Sequence, residues 1–258
     1  MKIKAVLWDI YGTLLIPKIG DLQQSLDKKE QYILSFKKFL KLLNDDFNIK
    51  VNISPEEGAE YLLNLIHIEH NVKKLKNITY PEVDIIKIWQ LWFFYFTNKL
   101  FARRTIKKFS ICFESINNPT TIAKNAVKVL TWIKKQKLKQ GIISNAQFYT
   151  KIFLNKYINF NKIFDQELVF FSYQLGYAKP ESKIYMKAIE NLAKQNINPE
   201  ESIYIGNDLQ NDIYTPQKLK FNTILVDYNN TIKTNLENNS QQFKIIDNLN
   251  KIIEIINK

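Results

Sequence analysis

Two hydrophobic patterns divide this chain of 258 residues, and their arrangement constrains the fold more than any other feature. Residues 1–15 and 117–258 alternate short apolar runs with amphipathic segments of helical period. Strands that alternate with helices favour a parallel sheet covered by helices. The pattern therefore predicts an α/β fold for these two segments. The predicted strands are residues 4–8, 139–144, 168–171, 202–206 and 222–226.

The intervening residues carry no convincing strand pattern and predict an all-helical insertion. Ser54 followed by Pro55 is typical of a helix start, because Ser caps unpaired backbone N–H groups and Pro suits the first helical position. The predicted helices lie near residues 23–44, 55–72 and 81–108. The predicted domains are a core of residues 1–15 and 117–258 and a helical domain of residues 16–116.

Further elements are predicted after the insertion. A helix following Pro119 carries Ile122, Ala126 and Val129 on one apolar face. Other core helices are expected near residues 147–156 and 181–194. The end of the chain, about residues 240–258, predicts a strand and a closing helix.

The composition is that of a folded protein with a large core. Hydrophobic residues make up 45% of the chain and charged residues 24%, which are values of ordinary globular proteins. No run of about 18 apolar residues occurs, so we expect no membrane span and no membrane partner. The first residues lead directly into the first strand without an apolar leader, which predicts a cytoplasmic protein. A single cysteine, Cys112, excludes an intrachain disulfide.

The net charge of +12 raises the question of a nucleic-acid partner. Arg103 and Arg104 are the only arginines, although guanidinium is the preferred group for bidentate phosphate recognition. The positive charge comes from lysines scattered along the helices, and no nucleic-acid motif accompanies it. We therefore expect no nucleic-acid partner and a small anionic substrate. The sequence leaves both a monomer and a homodimer open.

Residues capable of chemistry lie at the ends of the predicted strands, the edge where open α/β sheets bind ligands. Asp9 ends the first strand and can act as a covalent nucleophile. Ser144 ends the second and can donate a hydrogen bond to an anionic oxygen. Lys179 can neutralise negative charge, which stabilises an anionic transition state. Asp208 and Asp212 supply the carboxylate oxygens that Mg²⁺ prefers.

This arrangement resembles the haloacid dehalogenase-like hydrolase superfamily over nearly the whole chain. Asp9-Ile-Tyr-Gly-Thr13 resembles the first motif, which opens with the nucleophile and ends with a threonine that steadies the loop. The other motifs are matched by Gly141-Ile-Ile-Ser-Asn145, Lys179-Pro180 and Asp208-x-x-x-Asp212. The longer stretches around the second and fourth motifs look like those of uncharacterised bacterial members.

The resemblance implies a Rossmann-like, doubly wound parallel sheet with the helical insertion as a cap over the site. It also implies an aspartyl-enzyme intermediate and a Mg²⁺ cofactor. The candidate catalytic residues are Asp9, Tyr11, Thr13, Ser144, Asn145 and Lys179. The candidate metal ligands are Asp9, the backbone carbonyl of Tyr11, Asp208 and Asp212.

Two departures from the phosphatases of the superfamily bear on the reaction. Those enzymes carry an Asp where this chain has Tyr11, and that Asp protonates the leaving oxygen. The Asp-x-Tyr-Gly-Thr form resembles L-2-haloacid dehalogenases, which release halide without a proton or a metal. In addition, Asn207 precedes Asp208, so the main metal ligand could be displaced by one position.

Three functions follow from these features. A Mg²⁺-dependent phosphatase acting on a small phosphorylated metabolite is favoured, because Lys179 and Asp208 together suit a phosphate. A 2-haloacid dehalogenase is the alternative, and it would need a cap residue to hold the substrate carboxylate and accept the halide, for which Arg103 and Arg104 are the candidates. The third is a degenerate member that binds a phosphorylated ligand without catalysis, against which the retained Asp9 argues.

Overall fold

The computed structural model describes residues 2–18, 28–231 and 243–257. The chain divides into two compact units, Met1–Ile16 with Thr121–Lys258, and Pro17–Thr120. We call the first the core unit and the second the helical unit. None of the helices in the described ranges is long and apolar enough to cross a membrane.

A six-stranded sheet forms the centre of the core unit. Its strands are β1 Ala5–Trp8, β4 Lys139–Ser144, β5 Val169–Phe171, β6 Ser202–Gly206, β7 Asn222–Val226 and β8 Lys244–Ile246. They lie in the order β5-β4-β1-β6-β7-β8, and every neighbouring pair is parallel. Four consecutive residues of β1 are completely buried, so both faces of the sheet are covered, as parallel sheets require. The predicted α/β, Rossmann-like fold is confirmed.

The sheet register aligns the strand ends that carry the candidate site. Trp8, the last residue of β1, pairs with Ile142 of β4 on one side and Ile205 of β6 on the other. The residues that follow these strands therefore leave the sheet at the same edge. Two short strands, β2 Leu15–Pro17 and β3 Thr120–Ile122, pair in a separate sheet.

Helices of the core unit pack against the sheet that carries this edge. Ile184, Ala188 and Leu192 of one long helix share a buried cluster with Leu7 and Tyr204 of the sheet. That packing fixes β1 and β6 against a common layer. The α-helices of the core unit, numbered after the four of the helical unit, are α5 Ala126–Lys135, α6 Thr150–Leu154, α7 Phe160–Ile163, α8 Ser172–Leu175, α9 Ser182–Ala193, α10 Thr215–Lys218 and α11 Lys251–Ile256. A π-helical segment, Leu209–Tyr214, precedes α10.

The helical unit consists of four described helices around an aromatic core. Phe36, Trp89 and Trp92 are fully or almost fully buried, and the Trp92 indole N–H donates to the carbonyl of Gly58 at 2.9 Å. The helices are α1 Lys28–Phe47, α2 Pro55–Lys74, α3 Ile85–Thr97 and α4 Arg103–Asn117. Ser54 caps α2 as expected, accepting a hydrogen bond from the N–H of Glu57.

Several sequence-based boundaries need correction. The predicted helix at 81–108 is two helices, because Asn98 adopts a left-handed conformation at the end of α3, which Asn tolerates. Ile122 ends a strand, and the helix predicted after Pro119 begins at Ala126. The predicted strand and closing helix of the C-terminal segment are present as β8 and α11. Residues 23–27 of the first predicted helix lie outside the described residues.

Candidate active site

Asp9 follows β1 directly and lies at the sheet edge where the strands end. Its backbone N–H donates to the carbonyl of Ile205 at 2.8 Å, and the residue is only 5% exposed. Gly12 then turns the chain with φ +83°, and an added Cβ at that position would overlap the side chain of Asn207. The turn therefore depends on glycine and brings the loop after β1 against the loop after β6.

The Asp9 carboxylate is held mainly through one oxygen. Oδ1 accepts a hydrogen bond from Lys179 Nζ at 2.7 Å and one from Ser144 Oγ at 3.0 Å. Oδ2 has the longer contact, 3.5 Å from the hydroxyl of Thr13. Three candidate residues from different parts of the sequence thus converge on Asp9. This arrangement fixes the carboxylate in place and makes Oδ2 the oxygen better placed to attack.

Lys179 is a buried cation that bridges two carboxylates. Its ammonium lies 2.7 Å from Asp9 and 2.6 Å from Asp212, and its side chain is 3% exposed. Burial alone would lower the pKa of Lys179, but the Asp212 and Asp9 carboxylates outweigh that effect and raise it above its ordinary value. Burial raises the pKa of Asp212 to about 6, although the Lys179 ammonium opposes the rise. Lys179 is therefore held as a charged ammonium next to Asp9.

Asn145 supports the backbone of Lys179. The Asn145 amide nitrogen donates to the carbonyl of Lys179 at 3.1 Å, and the Lys179 backbone N–H donates to the Asn145 amide oxygen at 2.7 Å. This two-way contact joins the loop after β4 to the segment that carries the lysine. The sequence placed Asn145 among the catalytic candidates, and the structure places it where it can position Lys179.

Asn145→Ala is expected to lower the free energy of unfolding by about 1–3 kcal/mol, because both backbone groups of Lys179 lose their partner in a partly buried setting. Asn44 provides a control, since its amide nitrogen donates to the side chain of the neighbouring Asp45 in an exposed setting and holds no backbone group of another loop within the described residues. Asn44→Ala should change stability by less than about 0.5 kcal/mol. Differential scanning calorimetry on the two variants measures this difference in stability, and equal melting temperatures would contradict the positioning role of Asn145.

Tyr11 is tied to the segment that follows β4. Its hydroxyl lies 2.9 Å from Oγ1 of Thr150, a fully buried residue at the start of α6. Tyr11 also lines the cavity beside Asp9. The phenol therefore has a hydrogen-bond partner within the protein scaffold.

Asp212 of the fourth motif contacts both Lys179 and the loop after β6. It is 1% exposed, and its Oδ1 contacts Lys179 while its Oδ2 accepts the backbone N–H groups of Asn207 and Asp208, both at 3.0 Å. The carboxylate therefore holds the loop and anchors Lys179. Its assignment as a metal ligand stays a prediction.

Asp208 and Asn207 line the cavity together with Asn211 and Asp212 of the same motif. Asp208 is exposed, and its Oδ1 accepts the N–H of Asn211 at 2.7 Å as a helix cap. The amide oxygen of Asn207 lies 3.3 Å from the hydroxyl of Thr13. Asn207, the residue before Asp208, therefore contacts the loop of Asp9.

The converging residues enclose a cavity of about 190 Å³ within the core unit. Seven of its eight lining residues are Asp, Asn or Lys, and these polar walls suit a compact, highly charged group. Among the residues that the structure describes, no three His, Cys, Asp or Glu side chains are grouped to hold a metal by themselves. The lining residues are Asp9, Tyr11, Asn145, Lys179, Asn207, Asp208, Asn211 and Asp212.

The model of the haloacid dehalogenase-like hydrolase family matches residues 67–226, which is more than half of the chain. The chain belongs to this family. Its core unit has the parallel sheet that the strand pattern predicts.

The curated relatives of this chain include a phosphatase. The chain is 31% identical over 121 residues to the Rhythmically expressed gene 2 protein of Drosophila melanogaster, covering 46% of this chain and 44% of that protein. It is 28% identical over 139 residues to the glyceraldehyde 3-phosphate phosphatase of Pyrococcus furiosus, covering 52% and 53%. The chain thus spans about half the length of the curated relatives it matches.

A solved structure supports the fold over the full length. The 2-haloacid dehalogenase of Pseudomonas syringae pv. Tomato DC3000 has a TM-score of 0.63 and 16% identity, covering 99% of this chain and 98% of the other. At that identity the likeness establishes the architecture and leaves the reaction open.

Two further residues beside the candidate site could not be assigned from the sequence motifs. Thr150 lies in the stretch that follows the second motif, and Tyr204 lies within β6. Neither falls in a motif, but Tyr204 stands between two isoleucines of a buried strand, and a hydroxyl there needs a partner. The two arginines begin α4 in the helical unit and are exposed, and Arg103 lies 3.6 Å from Asp84.

Proposed function

We propose that this hydrolase is a Mg²⁺-dependent phosphatase that acts on a small phosphorylated metabolite through an aspartyl-phosphate intermediate on Asp9. The observation that carries the proposal is the polar cavity, because Asp9, Lys179 and Asp208 line it together. A carboxylate that attacks a phosphate faces like-charge repulsion, which a neighbouring ammonium and a metal relieve.

The donor set at the cavity suits Mg²⁺. Asp9 and Asp208 offer carboxylate oxygens, Asn207 offers an amide oxygen, and the backbone carbonyl of Tyr11 is a further candidate. Mg²⁺ is typically bound by one or two carboxylates together with waters and substrate phosphate, so a cage of protein ligands is not required. When bound, the ion would supply positive charge beside the phosphoryl oxygens.

Residues of the protein carry out the attack on phosphorus and stabilise the charge that it involves. Oδ2 of Asp9 forms a bond to phosphorus while the bond to the leaving oxygen breaks and its electron pair departs with that oxygen. Lys179 and Ser144 hold Oδ1, and the charge of the Lys179 ammonium offsets the negative charge of the phosphoryl group. Water then attacks phosphorus, the bond to Asp9 breaks, and phosphate leaves while the proton of the water passes to solvent.

Dehalogenation of a small 2-halo acid is the second candidate. It is favoured by the Tyr11 hydroxyl, which bonds Thr150 at 2.9 Å, because a departing halide needs no proton. In that reaction Oδ2 of Asp9 would displace halide from carbon and form an ester, which water would hydrolyse.

The purified protein, assayed with acetyl phosphate, p-nitrophenyl phosphate and 2-chloropropionate, separates these functions. We expect phosphate release in the presence of Mg²⁺ and a loss of more than about 10-fold when EDTA removes the metal. Halide release that EDTA leaves unchanged would replace the phosphatase by the dehalogenase. Absence of turnover with all three substrates, together with measurable phosphate binding, would indicate a non-catalytic binding protein.

A further inference from the structure

A tyrosine hydroxyl lies within hydrogen-bond distance of the ammonium of Lys179. Tyr204 is on β6, is completely buried, and its oxygen lies 3.1 Å from Lys179 Nζ. The same hydroxyl has two acceptors, the carbonyl of Ile143 on β4 at 2.7 Å and Oδ1 of Asp212 at 3.2 Å. Its single hydrogen serves the nearer of these, the carbonyl, so a lone pair of the oxygen can accept from the lysine.

Tyr204 completes the hydrogen bonding of a buried cation. An ammonium has three N–H groups, and those of Lys179 have three acceptors, namely Asp9 at 2.7 Å, Asp212 at 2.6 Å and Tyr204 at 3.1 Å. Burial raises the pKa of Tyr204 well above its ordinary value, so the hydroxyl stays neutral and able to accept. The two carboxylates fix two directions of the ammonium, and the tyrosine fixes the third.

We propose that Tyr204 is a positioning residue, which holds the Lys179 ammonium in the orientation that keeps it shared between Asp9 and Asp212. The inference rests on the proposed function, because it assigns Lys179 the task of neutralising charge at Asp9. Without the hydroxyl, the ammonium would keep its two carboxylate partners, but it would lose the contact that fixes the direction of its third N–H group. One buried N–H group would be left without an acceptor, and the ammonium would shift to recover one.

The test is a double-mutant cycle on Tyr204→Phe and Lys179→Met. Tyr204→Phe alone should lower kcat for acetyl phosphate by about 10-fold, the loss of one hydrogen bond to a charged group, while KM changes by less than about 2-fold. In the Lys179→Met background the same substitution should change kcat by less than about 2-fold, because the hydroxyl acts through the ammonium. Single-turnover measurements at high enzyme concentration make the slow variants accessible.

Tyr185→Phe is the matched control. The ring of Tyr185 packs edge-on against Tyr204 with centroids 5.8 Å apart, and the Tyr185 hydroxyl donates to the carbonyl of Asn211. The substitution removes the hydroxyl of a neighbouring buried tyrosine without changing a contact of Lys179. Its effect on kcat should therefore be clearly smaller than that of Tyr204→Phe. Equal losses in the two variants would show a general packing effect and overturn the proposal.

The outcomes distinguish this inference from the proposed function. If the wild type hydrolyses acetyl phosphate but Tyr204→Phe costs as much in the Lys179→Met background as in the wild-type background, the positioning role is wrong and the phosphatase stands. If the wild type hydrolyses no phosphate, the proposed function fails. The same cycle, read by calorimetric binding of inorganic phosphate, then tests Tyr204, and additive losses of affinity would overturn its role.

Discussion

Asp9→Asn is expected to lower kcat/KM by more than about 10⁴-fold with any substrate that the wild type hydrolyses, because the amide cannot form the covalent intermediate. The substitution changes one oxygen and preserves the shape of a 5% exposed side chain. Oδ1 contacts two donors, Lys179 and Ser144, so the amide can keep its oxygen there. The folded structure should therefore survive, with the nucleophile alone removed.

Acid-quenched protein provides a second measurement of the same step. Mass spectrometry should find one added phosphoryl group on the wild type after brief exposure to acetyl phosphate, and none on Asp9→Asn. Asp46→Asn is the matched control, since Asp46 is an exposed residue at the end of α1 in the helical unit. A variant that lacks Asp9 and retains wild-type activity would disprove the covalent mechanism and require direct attack by water.

The sheet and the position of Asp9 could be predicted because they depend on local pattern. Buried parallel strands are short apolar runs, and such runs are visible in the sequence. Once the strands are known, their carboxyl ends must share an edge. Asp9 and Ser144 therefore had to come together, although they are 135 positions apart.

The details of the fourth motif could not be predicted, because they depend on which backbone groups need a partner. After β6 the N–H groups of Asn207 and Asp208 point inward, and Asp212 satisfies both. The spacing of the two aspartates is the same whether they bind a metal or a backbone. The left-handed conformation of Asn98, which ends α3, could likewise not be predicted, because the apolar pattern of the sequence continues beyond it.

Tyr11→Asp is expected to raise kcat/KM for alkyl phosphates by about 10²–10⁴-fold, the usual contribution of a positioned acid–base group. An alkoxide is a poor leaving group unless it is protonated, whereas acetate departs from acetyl phosphate without help. The ordinary pKa of Tyr is about 10, which makes it a poor base near neutrality, and the Tyr11 hydroxyl is bonded to Thr150. The wild type should therefore discriminate strongly between the two kinds of substrate.

A series of phosphate esters with leaving groups of increasing pKa measures this discrimination. The logarithm of kcat/KM should fall steeply along the series for the wild type and much less for Tyr11→Asp. Tyr11→Phe removes the hydroxyl and its bond to Thr150 but adds no acid, so its slope should remain that of the wild type. A flat wild-type profile that becomes steep in Tyr11→Phe would identify the phenol as the proton donor, and the Thr150 contact would then be one that substrate binding breaks.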